Sequence, residues 1–181
     1  MILPVYITFH LIEHSRLSPG ERRAIIDLCT RAYDEPFDAF VDSYTRCTHV
    51  LMYARNELAA HACWEARLLQ QADMPPLRTA YVEGVATEPA LQRQGHGSAV
   101  MGVIAQQMWD YDLGALCAAT PSFYERLGWE AWRGPTFIRA ATGLVATPDE
   151  PVMILRTGRT PHWLDRRAPL IAPWRDAPEQ W

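Results

Sequence analysis

Apolar positions alternate or cluster at two different periods along this chain, and the two periods divide it into strands and helices. Val5–Ile12 is a short β-rich run and predicts a first strand. Ser18-Pro-Gly-Glu21 then opens a helix with Ser18 as N-cap, Pro19 at its first position and Glu21 at the capping-box position. That helix runs to about Ala32 with Ile25, Ile26 and Leu28 facing inward, and Asp34-Glu35-Pro36 ends it, because proline disfavours helix in the residue before it. A short acidic and aromatic segment, Phe37–Tyr44, follows. His49–Arg55 and Leu58–Leu69, joined at Asn56-Glu57, predict a hairpin.

Thr79–Thr87 is a further strand, stopped at Glu88-Pro89. Gly95–Tyr111 carries Val100, Val103, Ile104, Met108 and Tyr111 on one helical face and ends before Gly114. Ala115–Ala118 predicts a buried strand, Pro121–Leu127 a short helix closed by Gly128, and Trp129–Trp132, Thr136–Arg139 and Val152–Leu155 late strands. The tail from Thr160 is rich in Pro, Arg and Trp and ends at Trp181. Hairpins mixed with helices favour an α+β domain around a mostly antiparallel sheet flanked by helices. With 181 residues, a single domain over 1–181 has enough chain for a full core.

Composition changes this picture little. Hydrophobic residues make up 49% and charged residues 21%, an ordinary globular balance. The net charge of −4 argues against a nucleic-acid surface and suits a cationic ligand better. All 17 basic side chains are arginine, which reads most simply as codon usage. Cys29, Cys47, Cys63 and Cys117 form no CxxC pair or zinc spacing, no Cys/His cluster is visible, and no metal is expected. They read as reduced thiols of a cytoplasmic protein. The apolar N-terminus lacks a basic flank and a cleavage site, and no apolar stretch reaches the ~18 residues that span a bilayer, so no membrane association is expected.

The most informative chemistry lies between Tyr81 and Gly97. A strand ends, a short loop turns, and Gln92-Arg93-Gln94-Gly95-His96-Gly97-Ser98 feeds the start of the long helix. Unpaired N–H groups and the positive dipole end there suit a pyrophosphate, the glycines let backbone approach oxygen, and Arg93 adds a charge. Gln92-x-x-Gly95-x-Gly97 resembles the Q/R-x-x-G-x-G/A motif with which GNAT-superfamily acetyltransferases hold the pyrophosphate of CoA. The preceding strand, the following helix and a Tyr124…Leu127-Gly128-Trp129 element about 30 residues on match that superfamily. A Walker A loop is excluded because no Gly-Lys-Ser/Thr occurs, and a Rossmann fingerprint lacks its third glycine and acidic partner.

Tyr81-Val-Glu83-Gly84-Val-Ala86 is less common, and looks like the equivalent strand of aminoglycoside 2′-N-acetyltransferases. Leu113–Leu116, Tyr124, Gly128-Trp129, Trp132, Gly134-Pro135-Thr136, Thr142-Gly143, Thr147-Pro148-Asp149 and a C-terminus from Trp174-Arg175 to Trp181 agree in order. The resemblance implies a homodimer that binds acetyl-CoA and an aminoglycoside. It implies that the backbone of Val85 and Thr87, with Ala86 between them, pairs with the pantetheine arm like an added strand. Gly84 is then either a bulge residue or a simple bend.

Acetyl transfer to an amine needs a base, a donor for the carbonyl oxygen and an acid for the departing thiolate. Glu83 is the candidate base, direct or through water; a substrate-orienting or core carboxylate is the alternative reading. Tyr124 is the candidate acid, or a packing residue beside Phe123 and Trp129. The oxyanion donor would be backbone N–H near Val85. Acidic candidates for a cationic amino sugar are Asp34, Glu35, Asp38, Glu83, Asp149, Glu150, Glu179 and the terminal carboxylate of Trp181, which the resemblance places in the active site along with the tail from about residue 160. Gly84 and Cys117 complete the substrate set. Cys117 replaces a small hydroxyl residue of the resembled family, and the loop to Tyr124 is about two residues shorter. These departures leave room for a member specialised for kasugamycin. A GNAT enzyme for a protein N-terminus, polyamine or other small amine, or a silent CoA-binding module, are the alternatives. His10, His14, His49, His61, His96 and His162 make no triad with a placed Ser or Cys; His61 reads as core or as supporting the site, and His96 as facing solvent.

Overall fold

The computed structural model describes residues 6–178 and 180–181; Val5 and Glu179 of the sequence expectations fall outside them. The chain forms two compact units, one of Met1–Glu65 with Glu83–Gln106 and one of Ala66–Val82 with Gln107–Trp181. The α+β class with a mostly antiparallel sheet holds: of the strand pairs, Thr79–Tyr81 with Leu113–Ala115 and Thr136–Arg139 with Leu170–Pro173 are parallel, and the others described are antiparallel.

In the first unit, β1 (Ile7–Glu13), β2 (Thr48–Ala54) and the first part of β3 (Glu57–Gln71) form an antiparallel meander. Arg55 and Asn56 join β2 to β3 with φ 53° and 67°, the paired left-handed conformation whose twist suits a two-residue hairpin. Helix α1 (Pro19–Tyr33) begins at the expected capping box, with the Glu21 N–H donating to Ser18 Oγ and the Ser18 N–H to the Glu21 carboxylate. This reciprocal cap is worth about 1 kcal/mol. Asp34 ends α1 in the left-handed region, at φ 58°. The acidic and aromatic segment Phe37–Tyr44 contains a short helix α2 (Asp38–Ser43).

Ile25, Ile26, Leu28 and Cys29 of α1 pack with Val41, Tyr44, Leu51, Cys63 and Ala86 in one core. Each fully buried aliphatic there contributes about 1.5–3 kcal/mol. Strand β4 (Leu77–Thr87) contributes its second half to this unit, and a one-turn 3-10 helix, Pro89–Leu91, leads into α3 (His96–Gln107). Val100, Met101 and Ile104 form the buried stripe of α3. The regular helix ends four residues before the expected Tyr111, because Met108–Asp110 tightens into a 3-10 turn.

The second unit runs in strand order β6-β9-β5-β4-β3-β10-β7-β8. Its later strands are β5 (Leu113–Cys117), β6 (Glu130–Ala131), β7 (Thr136–Ala140), β8 (Gly143–Ala146), β9 (Val152–Arg156) and β10 (Leu170–Pro173), with α4 (Pro121–Glu125) between β5 and β6. Two strands are absent from the sequence expectation. Strand β8 is exposed along its whole length and carries no alternation to read. Strand β10 lies in the tail, where Leu170–Ala172 is buried and pairs with β3 and β7. Close approach fixes this docking: a Cβ on Gly134 would sit 2.1 Å from the Ala168 carbonyl oxygen. Trp132 Nε1–H also donates to Ala168 O at 3.0 Å. Leu69, Tyr81, Leu113, Trp132, Ile154, Leu170 and Trp181 belong to a separate core in this unit.

Candidate active site

The residues singled out from sequence fall into two sets, one in each unit. In the first unit they lie along β4 and the loop ahead of α3. Glu83, Val85 and Thr87 are half-buried, while Gly84 and Ala86 between them are buried, as strand alternation requires. Gly84 adopts φ 59° in mid-strand, a left-handed conformation that favours glycine. A Cβ there would meet His61 Cε1 at 3.2 Å and Tyr44 Oη at 3.3 Å, so both backbone and space demand glycine.

Three groups hold the carbonyls of this stretch. His61 Nδ1 lies 2.7 Å from Gly84 O, Tyr33 Oη–H donates to Val85 O at 3.0 Å, and Cys63 Sγ–H points to Glu83 O at 3.5 Å. Arg31 pairs with Glu88 at 2.7 Å where the strand ends.

The loop continues through Gln92, Arg93 at φ 61°, Gln94 and Gly95 at φ 89°. The two glutamine side chains stitch it to the preceding turn: Gln92 Nε2 donates to Thr87 O at 3.4 Å and Gln94 Nε2 to Ala90 O at 3.3 Å. Gln92 and Gln94 therefore shape the loop from the side. Gly95 O accepts the first α3 bond, from Ala99 N–H at 2.9 Å. His96, Gly97 and Ser98 form the first turn, whose N–H groups have no carbonyl four residues back within the helix. An anion of pyrophosphate type fits such an exposed, left-handed, dipole-facing loop. Asp34, Glu35 and Asp38 are exposed around the end of α1 and the start of α2.

Sequence spacing missed the most organised polar feature of this unit. His14 Nδ1 lies 3.1 Å from His49 Nε2, and His49 Nδ1 lies 2.8 Å from His61 Nε2, which extends the contact to Gly84 into a chain of three imidazoles. His49 and His61 are wholly buried. Burial, with the neighbouring imidazoles, lowers His49 to about 2. Burial lowers His61 to about 4, against the opposing contact with Gly84 O. The residues are far apart in sequence and become neighbours through the β2–β3 register, which sets Leu51 opposite His61 and His49 opposite Cys63. The sequence expectation of no Cys/His cluster is thus corrected: the donor atoms of His49, His61 and Cys63 lie within 4.8 Å of one another. Both nitrogens of His49 and of His61 are already engaged within the chain, which reads as a hydrogen-bond relay.

In the second unit, Cys117 Sγ–H points to Glu150 Oε2 at 3.0 Å, while Asp149 and Glu150 are exposed. Tyr124 sits in α4, 9% exposed, in edge contact with Phe123 and Trp129. Burial first, then the nearby Cys117 thiol, pushes its phenol up to about 12. The tail is clamped by two arginines. Arg175 Nη2 donates to a terminal oxygen of Trp181 at 3.2 Å, and Arg67 Nη2 to Gln180 O at 2.8 Å. The Trp181 indole is itself in the core and donates to Thr147 Oγ1 at 2.9 Å. The residue as a whole is 2% exposed, and its main-chain oxygen is already paired with Arg175.

Residues 14–132 match the acetyltransferase (GNAT) domain family. Over 176 residues the chain is 32% identical to an aminoglycoside 2′-N-acetyltransferase of Mycolicibacterium fortuitum, covering 93% of this chain and 90% of that protein. Among solved structures it is similar to Escherichia coli ElaA, with a TM-score of 0.60 and 18% identity over 82% of this chain and 99% of the other. It is also similar to the ribosomal-protein-S18-alanine N-acetyltransferase of E. coli, with a TM-score of 0.58 and 18% identity over 87% and 99%. At such identities these two establish the fold.

Proposed function

The chain belongs to the GNAT acetyltransferases, and from that premise we propose that it transfers the acetyl group of acetyl-CoA to the 2′-amino group of an aminoglycoside, with kasugamycin a candidate and drug resistance the consequence. The observation that carries this reading is the Glu83-Gly84-Val85 segment, with a left-handed Gly84 in mid-strand and the Gln92–Gly97 loop following it. The near full-length kinship to a 2′-N-acetyltransferase supports the choice of amine.

Arg93 and the N–H groups of Gly95 to Ser98 receive the pyrophosphate, and the backbone of Val85, Ala86 and Thr87 lines the pantetheine arm. Glu83 accepts a proton from the attacking ammonium, directly or through water, so that the free amine can add to the thioester carbonyl. Val85 N–H donates to the oxygen as it takes up charge. Tyr124, kept as a neutral phenol by burial, returns a proton to the departing thiolate. Asp34, Glu35, Asp38, Asp149, Glu150, Glu179 and the Trp181 carboxylate attract the other ammonium groups of the sugar, and Gly84 and Cys117 complete the substrate set.

A homodimer remains part of the proposal. It is supported by the outer strand β1, where Ile7 and Leu11 are 44% and 46% exposed. No helix among the described residues is long and apolar enough to cross a membrane, and a cytoplasmic location is proposed with the function. Thiol release from acetyl-CoA across kasugamycin, gentamicin, tobramycin and a polyamine tests the reading. Turnover of the polyamine alone would remove the aminoglycoside assignment.

A further inference from the structure

The acetyl-transfer reading uses the Gly84–Val85 peptide but does not say what holds it. A backbone carbonyl can only accept a hydrogen bond, so the 2.7 Å contact at Gly84 O requires the proton on His61 Nδ1. In a neutral imidazole that leaves Nε2 as an acceptor. His49 Nδ1, 2.8 Å away, must then be the donor to it. The same step repeats: His49 Nε2 accepts, and His14 Nδ1 donates across 3.1 Å. One carbonyl therefore fixes the tautomer of all three rings, from half-buried His14 inward. Burial holds His49 and His61 neutral at physiological pH, as this assignment requires.

The peptide between Gly84 and Val85 is trans, so its C=O and N–H point in opposite directions. Fastening the carbonyl to His61 therefore turns Val85 N–H away from the histidine chain. Gly84 is the residue whose φ of 59° makes this peptide orientation available. A Cβ at Gly84 would lie 3.2 Å from the His61 ring and 3.3 Å from Tyr44 Oη, so both side chains pack against this residue.

We propose that His61, held in one tautomer by His49 and His14, is a positioning residue that aims Val85 N–H at the reacting thioester carbonyl. This inference rests on the acetyl-transfer reading and adds to it the element that pre-organises the oxyanion donor. Pre-organisation of this kind acts on the chemical step more than on binding. Without the His61 bond the peptide loses the contact that sets its orientation, and a misplacement near 1 Å costs about 100-fold in rate.

The test uses the full chain with 15N-labelled histidine. The wild type should show His61 protonated at Nδ1 and unprotonated at Nε2, unchanged from pH 8 to pH 5.5. With acetyl-CoA and an accepted aminoglycoside, His61→Leu should lower kcat about 100-fold with both KM values little changed. His61→Asn, whose amide can donate from the Nδ1 position, should recover most of the loss. A His61 protonated at Nε2, or a folded His61→Leu variant with wild-type kcat, would overturn the proposal. If His61→Leu does not fold, the wild-type tautomer and the kcat of His61→Asn decide it, and an Asn variant as slow as Glu83→Gln counts against it. Failure of the acetyl-transfer reading itself looks different: the wild type would be inert toward every amine while the His61 spectrum stayed as expected.

Discussion

The Trp181 indole donates to Thr147 Oγ1 at 2.9 Å, and the side chain is only 2% exposed. Removing this residue therefore does two things at once. Deletion of Trp181 should cost about 3–5 kcal/mol of stability, as for other core tryptophans. Trp181→Phe keeps an aromatic ring and the carboxylate but loses the hydrogen bond and part of the buried volume, and should cost about 1–3 kcal/mol. Appending one glycine moves the carboxylate and leaves the indole in place. That variant should melt normally but show a raised KM for the aminoglycoside; an unchanged KM would remove the carboxylate from the substrate site.

Gly84→Ala meets both a left-handed φ and two close neighbours. It should lose about 1–3 kcal/mol and also slow turnover, because the strain is relieved by shifting the Glu83 and Val85 peptides. Chemical denaturation and kcat on the same sample check both. A fully active, fully stable variant would mean that the left-handed glycine is unimportant.

The folded-state values of His61 and His49 lie below the ordinary 6.5, at about 4 and about 2, through burial. The unfolded chain therefore binds these protons first as pH falls. The stability they contribute is complete above about pH 6.5. It is lost as pH falls, through about 4 for His61 and about 2 for His49, at about 1.4 kcal/mol per pH unit for each ring. Urea unfolding at pH 7 and pH 5 should show this slope. His49→Phe should reduce it by about half, and an identical slope in that variant would contradict the assignment.

Tyr124 is raised to about 12 by burial and the Cys117 thiol, so it is a protonated donor throughout the neutral range. Tyr124→Phe should lower kcat about 100-fold with little change in KM for acetyl-CoA. Because the phenol of the wild type does not ionise below about pH 10, an alkaline fall in kcat near pH 8 must come from another group. Unaltered turnover in Tyr124→Phe would return the residue to a packing role against Phe123 and Trp129.

Much of this was legible in the sequence where local chemistry decides structure. The Ser18–Glu21 box, the helix stop at Asp34 and the glycine loop ahead of α3 all use contacts within a few residues. Strand β10 was not legible, because its burial comes from partners in β3 and β7 rather than from its own pattern. The histidine chain was hidden for a similar reason. Nothing in the spacing of His14, His49 and His61 marks them; only the β2–β3 register and the return of β4 bring them to Gly84. Gly84 is singled out in the sequence as a bulge or a simple bend, but the two side chains packed against it are ones the sequence does not locate.

The central claim is acetylation at one particular amine. The most direct measurement is incubation of the purified protein with acetyl-CoA and an aminoglycoside panel including kasugamycin, followed by NMR of any product. The account predicts stoichiometric thiol release and a single acetamide at the 2′ nitrogen, abolished by Glu83→Gln. Acetylation at another nitrogen, or no transfer to any aminoglycoside by a folded protein that binds acetyl-CoA, would contradict it.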